Sequence, residues 1–207
     1  MDRAISMSVV KRLPRYYRYL GELSDRGVTR VSSMELSQLM DITASQIRQD
    51  LNNFGCFGQQ GYGYNVEMLK EEIAKILGLN RLYKLVIIGA GNLGQALARY
   101  SRFAKRGFIF IGLFDNNPNL IGMQVSGLTI RHVNELKEFL VDQKPDIAVF
   151  SLPDENAKDI LDIVVKSGVK GIWNFSQLDL DKSCGIKVQS VHLTDSLMTL
   201  SYMLNEE

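Results

Sequence analysis

Gly89, Gly91 and Gly94 stand in the pattern G-x-G-x-x-G directly behind the apolar run Leu85-Val86-Ile87-Ile88. In this pattern the backbone is the chemical tool. The first glycine permits a tight turn, the second lets the chain approach a pyrophosphate, and the third lets a helix pack closely on its strand. The helix that follows, through Ala96-Leu97-Ala98-Arg99-Tyr100, opens with N–H groups that suit phosphate oxygens. Candidate contacts are therefore Gly89, Ala90, Gly91, Asn92, Leu93, Gly94 and Gln95. Taken alone the pattern is weak, because glycines also serve plain turns. A second apolar run, Phe108 to Phe114, ends in Asp115. That carboxylate lies about 20 residues past the last glycine, where it meets ribose hydroxyls. Asn116 and Asn117 follow it, with no Arg to accept a 2′-phosphate, which favours NAD over NADP. The alternative is a doubly wound domain with an empty crevice.

The elements that position these residues alternate. Leu128 to Ile130 predicts a strand, Asn134 to Val141 a helix, and Asp146 to Leu152 a strand that Pro153 ends. Asp154 or Asn156 caps a helix up to Ser167-Gly168; Gly171 to Phe175 and Ile186 to Val188 are further strands. The class is α/β, a Rossmann-like doubly wound and mostly parallel sheet with helices on both faces. Ligands of such sheets sit beyond the C-terminal strand ends, which adds Ser151, Pro153 and Asn174 to the candidates. Trp173 and Phe175 are expected in the core rather than stacked on a ligand ring. A dehydrogenase needs a positioned acid or base. His132 sits beside a helix start and His192 near the end of the sequence, so no residue is assigned a catalytic role.

The front of the chain has a different chemistry. A helix carrying Val9, Leu13, Tyr16, Leu20 and Leu23 is expected after a Ser8 cap, with Pro14 predicting a kink or a later start and Gly27 a C-cap. Ser32 to Met40 predicts a short helix with Leu36, Leu39 and Met40 inward. After a tight connection, Thr43 and Gln46 read as a reciprocal cap on a second helix that buries Ala44, Ile47 and Leu51. Ser45, Gln46 and Gln49 then face outward, with Arg48 at the flank. Short helix, tight turn and a polar second helix describe a helix-turn-helix, in which Gln suits adenine and Arg suits guanine. Amides on a solvated surface are the plain alternative. The stretch Phe54 to Val66 places four glycines among aromatics, predicting a hairpin with its tip at Gly58 to Gly61. Behind a helix-turn-helix such a hairpin is a wing, and Gln60, Gly61 and Tyr62 are its candidate DNA contacts; a second phosphate loop is the rival reading. Arg3, Lys11, Arg12, Arg15 and Arg18 crowd the first helix, and Arg12 and Arg15 are taken as DNA contacts.

A chain of 207 residues holds two small domains, and its 45% apolar content argues against disorder. The expected division is 1–80 winged helix, 81–190 nucleotide-binding domain and 191–207 a C-terminal dimerisation helix. A net charge of +1 announces no polyanion partner by itself. Cys56 and Cys184 make neither a disulfide framework nor a zinc pattern; reduced thiols are expected, oxidation sensing at Cys56 being the alternative. No metal is expected. No signal-peptide pattern or membrane-length apolar run is present, so a cytoplasmic protein is expected. In the last segment Leu193, Leu197, Leu200 and Leu204 recur as a heptad seam. The seam packs either on its own domain or on a partner subunit. A helix-turn-helix reader normally works as a dimer on a palindromic operator, which favours the partner.

The whole chain resembles the Rex family of redox-sensing transcriptional repressors. The likeness rests on Val9 to Tyr17, Ala44 to Leu51, Phe54-Gly55, Gly61 to Val66, Gly89 to Gly94 and Leu200-Ser201-Tyr202. It implies a homodimer with an N-terminal winged helix, a Rossmann domain for NADH and NAD⁺, and a C-terminal helix swapped between subunits. It implies repression when NADH/NAD⁺ is low and release by NADH, with Tyr100, His192, Leu193, Leu197 and Leu200 at the switch and dimer contact. Two departures stand out. Gln59-Gln60 occupies a wing tip that is often basic in the family, leaving more phosphate contact to Arg48 and the first helix. His192 occupies a position where the family often has Asp. The rival functions are a small NAD-dependent oxidoreductase with an accessory helical domain, and a nucleotide-binding scaffold whose front half binds protein.

Overall fold

The computed structural model describes residues 5–52, 58–59, 62–153, 157–178, 180 and 185–206. The chain divides into two compact units, Met1–Arg81 and Leu82–Glu207.

The first unit opens with α1 (Met7–Asp25), whose buried stripe is Val9, Leu13, Tyr16 and Leu20. Ser6, not Ser8, is the N-cap: its carbonyl accepts the N–H groups of Val9 and Val10, both at 3.0 Å. The later start that Pro14 allowed is not seen, and one helix runs from Met7 through it. Pro14 is exposed, so the lost hydrogen bond falls on the solvent side while the apolar stripe stays intact. The chain reverses after Arg26, with Gly27 at φ 75°, into β1 (Arg30–Val31).

The next two helices, α2 (Ser33–Met40) and α3 (Ala44–Asn52), are joined through Asp41, which adopts the left-handed conformation at φ 49°. Ser32 and Glu35 form a reciprocal capping box on α2 that the sequence reading passed over. Leu36 and Met40 are buried as expected, but Leu39 is exposed, because eight residues present only one i, i+4 pair to the core. On α3, Ile47 and Leu51 are buried. A hairpin of β2 (Gly58–Gln59) and β3 (Gly63–Asn65) follows, and β1 completes a three-stranded antiparallel sheet in the order β1-β3-β2. Gly63 needs φ 70° there, and a Cβ on it would lie 2.6 Å from the Val31 carbonyl oxygen. Helix α4 (Val66–Ile76), capped by the Asn65 side chain, buries Val66, Leu69 and Ile73 in the same core.

The second unit begins with β4 (Tyr83–Ile88), α5 (Asn92–Arg99) and β5 (Phe108–Asp115). It continues with β6 (Gln124–Val125), β7 (Leu128–His132), α6 (Leu136–Gln143), β8 (Ile147–Phe150), α7 (Ala157–Lys166), β9 (Gly171–Asn174), β10 (Lys187–Ser190) and α8 (Leu193–Leu204). The seven strands lie in the order β10-β9-β8-β4-β5-β7-β6, parallel except for the edge pair β6–β7. This is the doubly wound sheet expected from the alternation. Strand order reverses between β4 and β8, and the crevice at that switch point is where such sheets bind ligands. Alternation along β4 sends Val86 and Ile88 to the face covered by α6 and α7, and Leu85 and Ile87 to the other face.

Some boundaries differ from expectation. The strand expected to end at Ile130 runs to His132. The helix expected from Asn134 opens as a 3₁₀ turn, Val133–Glu135, with His132 Nδ1 accepting the Asn134 N–H at 3.1 Å. Helix α8 buries none of its residues within the chain. Cys56, Cys184, the wing-tip residues Gln60 and Gly61, and the proposed caps Asp154 and Asn156 lie outside the described residues.

Candidate functional site

The glycine turn joins β4 to α5, and each glycine meets a different constraint. Gly89 adopts φ 102°, and any Cβ on it would overlap the Ser151 carbonyl at the end of β8. A Cβ on Gly94 would overlap the Gly89 carbonyl oxygen, so α5 sits directly on the turn. Gly91 is the N-cap of α5, and a Cβ there would meet nothing within 4 Å. Gly89 and Gly94 are demanded by the protein's own packing. Gly91 is not; its missing side chain leaves open space above a helix N-terminus, as close approach of a pyrophosphate requires.

Side chains around the turn hold it in place. Asp115 Oδ2 accepts the Ala90 N–H at 2.6 Å, and its Oδ1 accepts the Asn117 N–H at 2.8 Å. Ser151 Oγ donates to the Gly89 carbonyl at 2.8 Å, and Gln95 Nε2 to the Ala90 carbonyl at 2.8 Å. Asn92 is exposed on the first turn of α5 and Leu93 is half-buried. Beside the turn lies a cavity of about 320 Å³. Gly89, Asp115, Ser151 and Pro153 line it, as do Phe114, Asn116, Val133, Asn134, Leu152, Asp159 and Ile160. Val133, Asn134, Asp159 and Ile160 escaped the sequence reading, since they reach the cavity from the starts of α6 and α7 and carry no motif.

Asn174 is not among the lining residues. Its side chain is fully buried and spent on bracing: Nδ2 donates to the Leu178 carbonyl at 3.0 Å, and Oδ1 accepts from Ser176 N–H and Oγ at 3.0 and 2.7 Å. A larger cavity, about 560 Å³, opens on the opposite sheet face and is lined by Leu85, Phe103, Phe108, Ile147, Ile172 and Trp173. It lies away from the crevice, and apart from Lys187 and Gln189 its lining is apolar; it is shaped for packing rather than for a charged nucleotide. Trp173 packs edge-on to Phe103 with ring centres 5.5 Å apart, and Tyr100 on Phe103 at 5.0 Å.

On the first unit, the outward face of α3 presents Ser45, Arg48 and Gln49, all exposed. Arg48 Nη1 donates to Ser33 Oγ at 3.1 Å, which tethers the long side chain across the helix-turn-helix. Gln46 departs from expectation. Its backbone N–H meets Thr43 Oγ1 at 3.1 Å, but its amide reaches inward to Asp50 Oδ1 at 2.8 Å instead of back to the cap. Arg12 is likewise committed, donating through Nε and Nη2 to Asp50 at 2.7 and 2.6 Å. Burial alone raises the Asp50 pKa, yet hydrogen bonds from Arg12, Gln46 and Tyr16 outweigh it and leave the carboxyl below its ordinary range. Arg15 is exposed on α1. Tyr62, 70% exposed, has its carbonyl held by Arg30 Nη1 at 3.3 Å, a wing contact that sequence reasoning missed.

His192 is the exposed N-cap residue of α8, and Leu193, Leu197 and Leu200 are exposed along it. No three His, Cys, Asp or Glu side chains among the described residues are grouped to hold a metal ion.

Known proteins resemble this chain in both units. A family described as CoA binding domain matches residues 80–178, and one described as putative DNA-binding protein N-terminus matches residues 4–52. Coenzyme A and NAD share an adenosine diphosphate. The redox-sensing transcriptional repressor Rex of Clostridioides difficile (strain 630) is 53% identical over 205 residues, 99% of this chain and 98% of that protein. The protein of the same name from Clostridium novyi (strain NT) is 53% identical over 203 residues, 98% and 97% of the two chains. Among solved structures, RSP in complex with β-NAD⁺ and operator DNA matches with a TM-score of 0.91 at 51% identity, covering 99% of this chain and 94% of that one. RSP in complex with β-NADH gives 0.89 at 48% identity, covering 99% and 96%.

Proposed function

The chain belongs to the Rex family of redox-sensing transcriptional repressors, and from that premise we propose that it represses by binding operator DNA when NADH/NAD⁺ is low and is released by NADH. The observation that carries this reading is the coexistence, in one chain, of an exposed reading face on α3 with a glycine turn whose Gly91 opens onto space. NAD(H) fits the residues present. Gly91 and the first turn of α5 suit the pyrophosphate, and Asp115 beside the cavity suits the ribose hydroxyls. When bound, the cofactor supplies a nicotinamide ring that is cationic when oxidised and neutral when reduced. The chain's work is to bind it and to respond; its role is regulatory, not catalytic.

A ligand shifts a conformational equilibrium only through its differential affinity for the two states. We assign that discrimination to Leu193 at the start of α8 and to Val191 just before it, because apolar surroundings favour the neutral ring. The exposed leucines of α8 and the apolar cavity over the sheet are two surfaces that one chain leaves uncovered. We propose that a second copy covers them, making a homodimer with exchanged α8 helices. Two α3 helices then read half-sites of a palindrome about 34 Å apart, and closure around NADH spoils that spacing. The units act as 1–80, 81–190 and 191–207. Operator DNA and the NADH pool share a compartment, so we propose a cytoplasmic location.

Binding to a palindromic operator, followed against NADH at fixed salt with NAD⁺ as control, tests the proposal. NADH is expected to release the DNA and NAD⁺ to leave it bound. Equal effects of the two forms would overturn it, and turnover of either with a small carbonyl substrate would instead favour the oxidoreductase.

A further inference from the structure

Asp50 is a carboxylate with no accessible surface on a helix that exposes Ser45, Arg48, Gln49 and Asn52. Among the described residues, three side chains donate to its oxygens. Oδ2 accepts from Arg12 Nε at 2.7 Å and from the Tyr16 hydroxyl at 3.1 Å. Oδ1 accepts from Arg12 Nη2 at 2.6 Å and from Gln46 Nε2 at 2.8 Å. Arg12 and Tyr16 stand one turn apart on α1, and Gln46 and Asp50 one turn apart on α3. We propose that this cluster is a positioning clamp that sets the rotation of α3 about its own axis, and with it the register of Arg48 and Gln49 against base edges. In this clamp Gln46 is a strut, although its residue type suits a base reader. The inference rests on the DNA-reading function proposed above.

The physical reason lies in direction. Ile47 and Leu51 already hold α3 on the core, and apolar contact constrains distance more than angle. Replacing a buried ion pair by apolar residues often costs nothing in stability, so stability alone does not call for this one. What a two-pronged guanidinium–carboxylate pair adds is a fixed orientation. Side chains ride about 5–6 Å from a helix axis, so a rotation of about 20° moves them by about 2 Å. Base hydrogen bonds of about 2.7–3.2 Å do not survive that displacement. Gln46 is half-buried with its nitrogen turned to Asp50, whereas adenine recognition needs both ends of the amide at the base edge.

The test uses the full chain. The wild-type protein first selects a duplex from a random-sequence pool. Arg12→Lys and Gln46→Met are then titrated with that duplex, with each of its single-base variants, and with an unrelated duplex of equal length, at one salt concentration. Circular dichroism melts and NADH titrations accompany each variant. For Arg12→Lys, affinity for the selected duplex should fall roughly tenfold or more. Affinity for the unrelated duplex should stay within about twofold. Discrimination should flatten at several base positions together, with NADH binding unchanged. Gln46→Met should flatten the same positions more weakly. Failure of the wild type to enrich any sequence overturns the DNA-reading function and the clamp with it. With enrichment in hand, relaxation at one base pair in Gln46→Met makes Gln46 a reader and overturns the strut. Equal losses on both duplexes in Arg12→Lys make Arg12 a phosphate contact and overturn the clamp. Should Arg12→Lys fail to fold, Gln46→Met, which keeps the ion pair, decides alone.

Discussion

Replacing Gly91 by alanine separates ligand binding from folding. The residue sits at φ −66° and ψ −168°, a conformation alanine adopts freely, and a Cβ there meets nothing within 4 Å. Alanine is a poorer N-cap than glycine, but it also restricts the unfolded chain, which offsets about 0.4–1 kcal/mol. The unliganded protein should therefore melt within about 0.5 kcal/mol of wild type. NADH binding should suffer, because the methyl group enters the space that the pyrophosphate needs. Forcing an extra methyl into a close-packed contact costs about 1–3 kcal/mol, or roughly 5- to 150-fold in Kd. Gly94→Ala is the contrasting control. Its Cβ would overlap the Gly89 carbonyl and come within 3.0 Å of Ser151 Oγ, so the second unit itself should lose stability. Nucleotide fluorescence titration and thermal melts without ligand read the two effects separately. Wild-type NADH affinity in Gly91→Ala, or a melting loss as large as that of Gly94→Ala, would refute the reasoning.

Four further outcomes are expected. Asp115→Ala should weaken NADH by about 1.5–3 kcal/mol, the range for a charged hydrogen bond, with unchanged affinity in a calorimetric titration ruling out the ribose assignment. Arg48→Ala should cost about 1–3 kcal/mol on the operator and relax preference at one base pair; the same loss on unrelated DNA would make Arg48 a phosphate contact. Leu197→Asp with Leu200→Asp should yield a folded monomer by analytical ultracentrifugation, since neither leucine is buried within the chain; a dimer in the double variant would move the interface elsewhere. The Asp50 pKa is depressed in the fold, so its stabilisation is fully present above the ordinary aspartate value of about 3.9 and is lost as pH falls through the native value. Acid unfolding of the first unit should accordingly weaken in Asp50→Asn, and an unchanged pH profile would count against the clamp's charge.

Much of the molecule was legible in the residues because the relevant constraints are local. A glycine at φ 102° and one beneath a helix are needs of the backbone, so the spacing of Gly89, Gly91 and Gly94 carries them in any context. Alternating apolar runs and helical stripes likewise announce their own elements, and a parallel sheet follows from their order. The roles of individual polar side chains were not legible. Arg12 and Asp50 are 38 positions apart, Tyr16 and Asp50 are 34 apart, and no period links them. By type and exposure pattern Arg12, Gln46 and Asn174 suit a ligand; only the meeting of α1 with α3, and of β9 with the loop beyond it, turned them inward. Asn134 and Asp159 reached the cavity beside the glycine turn for the same reason, from two helix starts that the sheet brings together. The leucine seam of α8 was plain in the sequence, but its two possible partners were equivalent there. Which surface an apolar stripe covers depends on what the rest of the chain leaves uncovered, and only the tertiary structure showed that its own unit buries none of it.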